Sequence, residues 1–130
     1  MTTPLQRRAN YWLGALALGS VVLYTFPPQE YSFYPRCPFY AATHLLCPGC
    51  GGTRALYQLL HLHLFAALRL NALVTVAAPL LVAWFIFWYY SIMRYGQAPQ
   101  INLRRSALAG LYVVVTLFAV LRNTGVPFLN

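Results

Sequence analysis

The sequence predicts an all-α membrane protein with three transmembrane helices. A fourth, amphipathic helix follows a cysteine-containing turn and is interfacial or packed among the others. Three observations predict this. The 130-residue chain is 60% hydrophobic and only 8% charged, where a soluble domain carries about a quarter charged residues, so lipid is the solvent that fits. The charge is one-sided, with nine arginines, no lysine and a single acid, Glu30. The arginines stand singly or in pairs at the ends of three apolar runs, where cations meet phosphate headgroups. A net charge of +8 would suit nucleic acid only if it were gathered in a basic stripe, and it is not.

The first run, Tyr11 to Phe26, follows Arg7 and Arg8 and is closed by Pro27-Pro28. At ~1.5 Å per residue it reaches about 24 Å, short of a ~30 Å hydrocarbon core, so flanking residues must help it span. A secretory signal has a similar layout, but no small-x-small cleavage site follows, which makes this an uncleaved anchor. The second run, Ala72 to Met93, ends in the aromatic belt "WFIFWYY" before Arg94. Pro79 interrupts it and removes the hydrogen bond to the carbonyl of Thr75, which predicts a kink. The third run, Ser106 to Leu121, lies between Arg104-Arg105 and Arg122. The chain thus reads as one membrane domain with spans at about 11–26, 72–93 and 106–121.

Between the first two spans, residues 37–70 carry a cysteine motif and the amphipathic helix. Thr53 is the expected N-cap, its side-chain oxygen accepting from an otherwise unpaired helical N–H. A helix from Arg54 to about Leu70 aligns Arg54, Gln58, His61, Phe65 and Arg69, with Leu56, Leu59, Leu60, Ala67 and Leu70 opposite.

Cys37, Cys47 and Cys50 form a C-x9-C-x2-C array. Pro48-Gly49 favours a tight turn, proline presetting φ at its second position and glycine tolerating positive φ at its third. Such a turn brings the sulfurs of Cys47 and Cys50 to one side, and Gly51 lets the backbone pass close by. The pattern resembles a zinc knuckle, with Cys37 as a third ligand and His44 the nearest candidate for a fourth. A disulfide between Cys47 and Cys50, or between one of them and Cys37, is the alternative use of the same thiols. Arg54, beside the expected helix N-terminus, favours thiolate. His61 and His63, two apart on the expected helix, point to nearly opposite faces and do not share a metal.

"CPFYAATHLLCPGCGGTRALYQLL…AALRLNALV" resembles the bacterial membrane family known as domain of unknown function 2752, over roughly residues 37 to 80. The matching positions are Cys37, Pro38, Cys47, Pro48, Cys50, Gly51, Thr53, Arg54 and Asn71. Relative to the family pattern, His44 stands where a glycine is usual, Leu62-His63 replaces a common Gly-Asp, and Ala72 replaces a proline. The resemblance implies a small protein of the bacterial inner membrane and supplies no activity.

The chain offers no paired carboxylates, no Ser–His arrangement and no phosphate-cradling glycine loop. The expected role is a small non-catalytic subunit or assembly factor of a larger membrane complex, contacting lipids and other integral membrane subunits. The cysteines then act as a structural knuckle, with zinc the expected metal, or as a disulfide. The alternatives are a thiol–disulfide oxidoreductase, in which Cys37 resolves the Cys47–Cys50 pair, and a metal sensor or chaperone. Glu30 is expected to be non-catalytic, pairing with Arg36 or Arg54. An N-terminus in the cytoplasm puts Arg7, Arg8, Arg94, Arg104 and Arg105 inside and residues 27 to 70, with all three cysteines, outside.

Overall fold

The computed structural model describes residues 3–32, 34, 37–100 and 104–124. Among these the chain is helical without strands: α1 (Pro4–Thr25), α2 (Pro38–Thr43), α3 (Gly52–Leu60), α4 (Leu64–Tyr95) and α5 (Arg105–Asn123). A reciprocal cap starts α1. Gln6 N–H donates to Thr3 Oγ1 at 3.3 Å, Thr3 N–H donates to Gln6 Oε1 at 2.9 Å, and Pro4 sets the first helical φ.

Among the described residues two helices, rather than the expected three, are long and apolar enough to cross a membrane: α4 and α5. In α1 the first turns carry Gln6, Arg7, Arg8 and Asn10, and the rest is diluted by Tyr11, Trp12, Gly14, Gly19 and Ser20. Of α1 only Ala9 is buried, and the helix meets its neighbours near its two ends. It runs antiparallel to α4, with Asn10 Oδ1 accepting from Tyr89 Oη at 3.1 Å near one end. Near the other end Tyr24 stacks on His61, ring centroids 4.3 Å apart and planes 2° from parallel.

The single amphipathic helix expected over residues 54–70 is broken in two. α3 stops at Leu60, Leu62 takes a left-handed φ of 62°, and α4 starts at Leu64. The reversal lays α3 along α4. It also brings the rings of His61 and His63 to 6.4 Å of each other, against the expectation from helical spacing. Each Nδ1 is engaged elsewhere, His61 with the Tyr57 carbonyl and His63 with Gln58 Oε1, both at 2.9 Å. Small side chains are prominent among the buried residues: Ala9, Ala55 and Ala67 are fully buried, as is Ile92, and Gly52 faces Val74 so closely that a Cβ would meet its Cγ2 at 3.3 Å. Small residues let helix backbones approach where lipid offers no hydrophobic drive.

The only non-helical dihedrals within α4 belong to Asn71 (φ −163°, ψ 97°), so the chain breaks there rather than at Pro79. Asn71 restarts the helix as an internal N-cap, its Oδ1 accepting from Val74 N–H at 3.0 Å. From Ala72 onward α4 extends about 35 Å at ~1.5 Å per residue, enough for a ~30 Å core. α5, with 19 residues, returns to the N-terminal end of that segment, where Arg122 meets the Leu70 carbonyl. Leu80, Leu81, Phe87, Leu111, Tyr112 and Val113 are all exposed on these two helices. α5 is fastened to the rest at its C-terminal end, by Arg122 and Asn123.

Candidate metal centre

The turn Cys47-Pro48-Gly49-Cys50 closes with Cys50 N–H donating to the Cys47 carbonyl at 3.0 Å. Positive φ falls at Gly51 (74°) and not at Gly49, so the turn needs no left-handed third residue. Gly51 has the stricter requirement. It is the N-cap of α3, and a Cβ there would lie 3.0 Å from the Leu70 carbonyl oxygen. Thr53, the expected cap, sits inside α3, whose start has no side-chain cap. The double glycine carries the chain past the Leu70 carbonyl and into the helix two residues earlier than a threonine cap allows.

The turn and the start of α2 bring all three sulfurs together. Cys37 Sγ is 3.3 Å from Cys47 Sγ, Cys47 Sγ is 3.1 Å from Cys50 Sγ, and the three lie within 4.8 Å of one another. Tetrahedral zinc with ~2.3 Å bonds places sulfurs about 3.8 Å apart, so small rotations of the thiol side chains fit this set to a metal. The Cys47 N–H also points at Cys50 Sγ, at 3.3 Å. Such N–H groups aimed at sulfur stabilise thiolate.

The three thiols differ electrostatically. The Tyr40 backbone N–H facing Cys37, helped by the neighbouring Cys47 thiol, lowers the Cys37 pKa to about 7. Cys37 is the N-cap of α2, although no full side-chain capping hydrogen bond forms there. Burial, reinforced by the Cys47 side chain, pushes Cys50 up to about 12. The result is one accessible, acidic thiol beside one buried, reluctant one.

His44, the expected fourth ligand, is not in the cluster. It is the exposed C-cap of α2, left-handed at φ 56°, its ring edge-on to Tyr40. Its conformation is the one glycine adopts at a helix C-terminus. Leu62, at φ 62°, is the other left-handed non-glycine residue among those described. Glu30 and Arg54 are exposed and form no ion pair with each other. Arg36, the other partner considered for Glu30, lies outside the described residues. Glu30, Arg54 and the three cysteines line one cleft of about 970 Å³, with Tyr34 and Thr53.

Two residues that sequence reasoning left without a site role hold the motif. Asn71, 1% exposed, donates through Nδ2 to the carbonyls of Pro48 (2.9 Å) and Cys50 (3.0 Å) while its Oδ1 caps the second half of α4. Arg122, 5% exposed, donates to the carbonyls of Cys50 (2.6 Å), Leu70 (2.8 Å) and Cys47 (3.4 Å). Asn123 reads both sides of Leu46, accepting from its N–H and donating to its carbonyl, each at 2.9 Å. An arginine that ends an apolar run reads as an interfacial anchor, and only the fold shows that its fork lands on the cysteine turn.

Residues 37–85 match the family described as protein of unknown function (DUF2752). The match covers α2, the cysteine turn, α3 and much of α4, and the resemblance drawn from the Cys-Pro motifs holds over that stretch. Arg122 and Asn123 lie beyond it. No curated protein and no solved structure matches the chain.

Proposed function

We propose that this chain is a small, non-catalytic membrane subunit or assembly factor whose Cys37, Cys47 and Cys50 hold a zinc ion as a structural knuckle. The carrying observation is the convergence of three sulfurs, not two, within 4.8 Å. A disulfide consumes a pair and leaves the third thiol without a role, whereas a metal uses all three. The bracing of the surrounding carbonyls by Asn71 and Arg122 supports a site kept in one geometry. The exposed apolar surfaces of α4 and α5 suit lipid and the helices of partner subunits. In this reading the protein resides in the bacterial inner membrane, with the knuckle on the extracytoplasmic side.

The experiment is metal analysis with thiol counting on detergent-purified protein. About one equivalent of zinc per chain, with thiols that react only after chelation, is the expected result. Metal-free protein with a Cys47–Cys50 disulfide that cycles with quinone would replace this reading with the oxidoreductase.

A further inference from the structure

Three cysteines satisfy three corners of a tetrahedron, and the chain's composition limits what fills the fourth. Beyond its cysteines it contains three histidines and one acid, and all four of these residues are described. His61 is stacked on Tyr24 and tilted against Tyr57, with Nδ1 on the Tyr57 carbonyl, and His63 is engaged with Gln58. His44 stands apart from the sulfurs at the end of α2. Glu30 alone shares their cleft, but it lies among the exposed residues that follow α1.

The three cysteines line the same cleft, whose volume of about 970 Å³ is at the upper end of the range for small-molecule sites. Arg54 stands in its wall as an exposed cation in the first turn of α3, where the helix dipole opposes it. A ligand that brings both a soft donor and a negative charge satisfies both features. Sulfur matches a three-thiolate metal in softness, and a carboxylate matches a guanidinium in geometry.

Resting on the metal reading above, we propose that the fourth coordination position is exchangeable and takes a small anionic thiol from outside the chain. Its sulfur binds the metal and its carboxylate binds Arg54. On binding, the thiol loses its proton to solvent and one metal–sulfur bond replaces a metal–water bond; no electron is transferred. The three cysteines brace the turn as a knuckle, and a fourth position left open is the arrangement by which a metal with three protein ligands also accepts a ligand.

Cobalt(II) replacing zinc in the full-length, detergent-solubilised protein provides the readout, because its visible d–d bands report the donor set. The expected result is a tetrahedral spectrum with thiolate charge transfer that shifts saturably on titration with mercaptoacetate. Arg54→Gln is expected to weaken mercaptoacetate about tenfold while leaving the uncharged 2-mercaptoethanol within about twofold. A cobalt spectrum indifferent to both thiols overturns the proposal and leaves the metal reading standing. So does a spectrum altered by Glu30→Gln or His44→Gly before any thiol is added, since the chain would then close its own site. Failure to bind cobalt through sulfur overturns both.

Discussion

Arg122 Nη1 lies 2.6 Å from the carbonyl oxygen of Cys50, across 72 positions of sequence. The end of α5 is thereby joined to the turn that carries two of the three cysteines. Arginine suits this place because its planar fork serves carbonyls from two segments at once, Cys50 and Leu70. Arg122→Ala is expected to destabilise the folded protein by about 2–4 kcal/mol, through the charge-assisted bonds lost at Cys50 and Leu70, although the Cys50 carbonyl keeps Asn71 as a donor. Arg122→Lys should recover only part, since an ammonium cannot span both carbonyls. Thermal unfolding in detergent, with the zinc content of each variant, checks this.

Asn71 makes a sharper case, because donors and acceptor act in opposite directions from one side chain. Asn71→Asp keeps the oxygen that caps Val74 and loses both donors to Pro48 and Cys50. It is expected to be at least as damaging as Asn71→Ala, about 2–3 kcal/mol, since it sets a buried carboxylate against two carbonyl oxygens. Ala72→Pro should be tolerated, because position 72 is the first helical residue after the Asn71 cap and Asn71 is already extended. Unfolding curves of the three variants distinguish these outcomes.

His44 and Leu62 occupy left-handed backbone at φ 56° and 62°. Such a conformation costs an L-residue with a Cβ roughly 1–2 kcal/mol relative to glycine. His44→Gly and Leu62→Gly are each expected to stabilise by about 1 kcal/mol, additively, as they end different helices, α2 and α3. Gly51→Ala should do the reverse, by about 2 kcal/mol or more, because φ is 74° and the new Cβ meets the Leu70 oxygen at 3.0 Å.

In reduced, metal-free protein the thiols should alkylate in a fixed order. Thiolate is the nucleophile, and Cys37 has its pKa lowered to about 7 while Cys50 is raised to about 12. Iodoacetamide labelling at Cys37 is therefore expected to rise through half its maximum near pH 7 and to level off at mildly alkaline pH. Cys50 should stay unlabelled throughout that window. Mass mapping of the labelled peptides at each pH reads both curves, and first labelling at Cys50 would contradict the placement of the three sulfurs.

The α4–α5 pair puts Arg94 and Arg104-Arg105 around one connection and the cysteine turn at the opposite end. Basic residues beside span ends favour the cytoplasm, so a reporter fused at residue 100 is expected to read cytoplasmic. An exported reporter would place the cysteines in a reducing compartment.

Helix content and the cysteine turn were legible because they depend on local signals: apolar runs bounded by arginine, and Pro-Gly between two thiols. The split at His61–His63 was not legible. "HLHL" has neither glycine nor proline, and Leu62 adopts a left-handed φ that its own propensity opposes. Tertiary packing of α3 on α4 outweighs that cost. The first run misled in the opposite direction, since Arg7, Arg8 and a short apolar stretch resemble an anchor while the helix they form is partly committed to α3 and α4. Arg54 drew attention through its neighbourhood in sequence, yet the guanidinium that touches the motif backbone is that of Arg122, 75 residues beyond Cys47. No local pattern carries a contact of that length.

That length imposes an order in time. A chain leaving the ribosome presents Cys37, Cys47 and Cys50 well before α5 exists, and at typical synthesis rates of ~5–20 residues per second the interval lasts several seconds. Through it the turn has its own hydrogen bond and, once α4 begins, the bonds from Asn71, but nothing from Arg122 or Asn123. The thiols are therefore open to a metal donor or an oxidant while the nascent chain is still attached. Whatever state they reach by then is the one over which α5 closes.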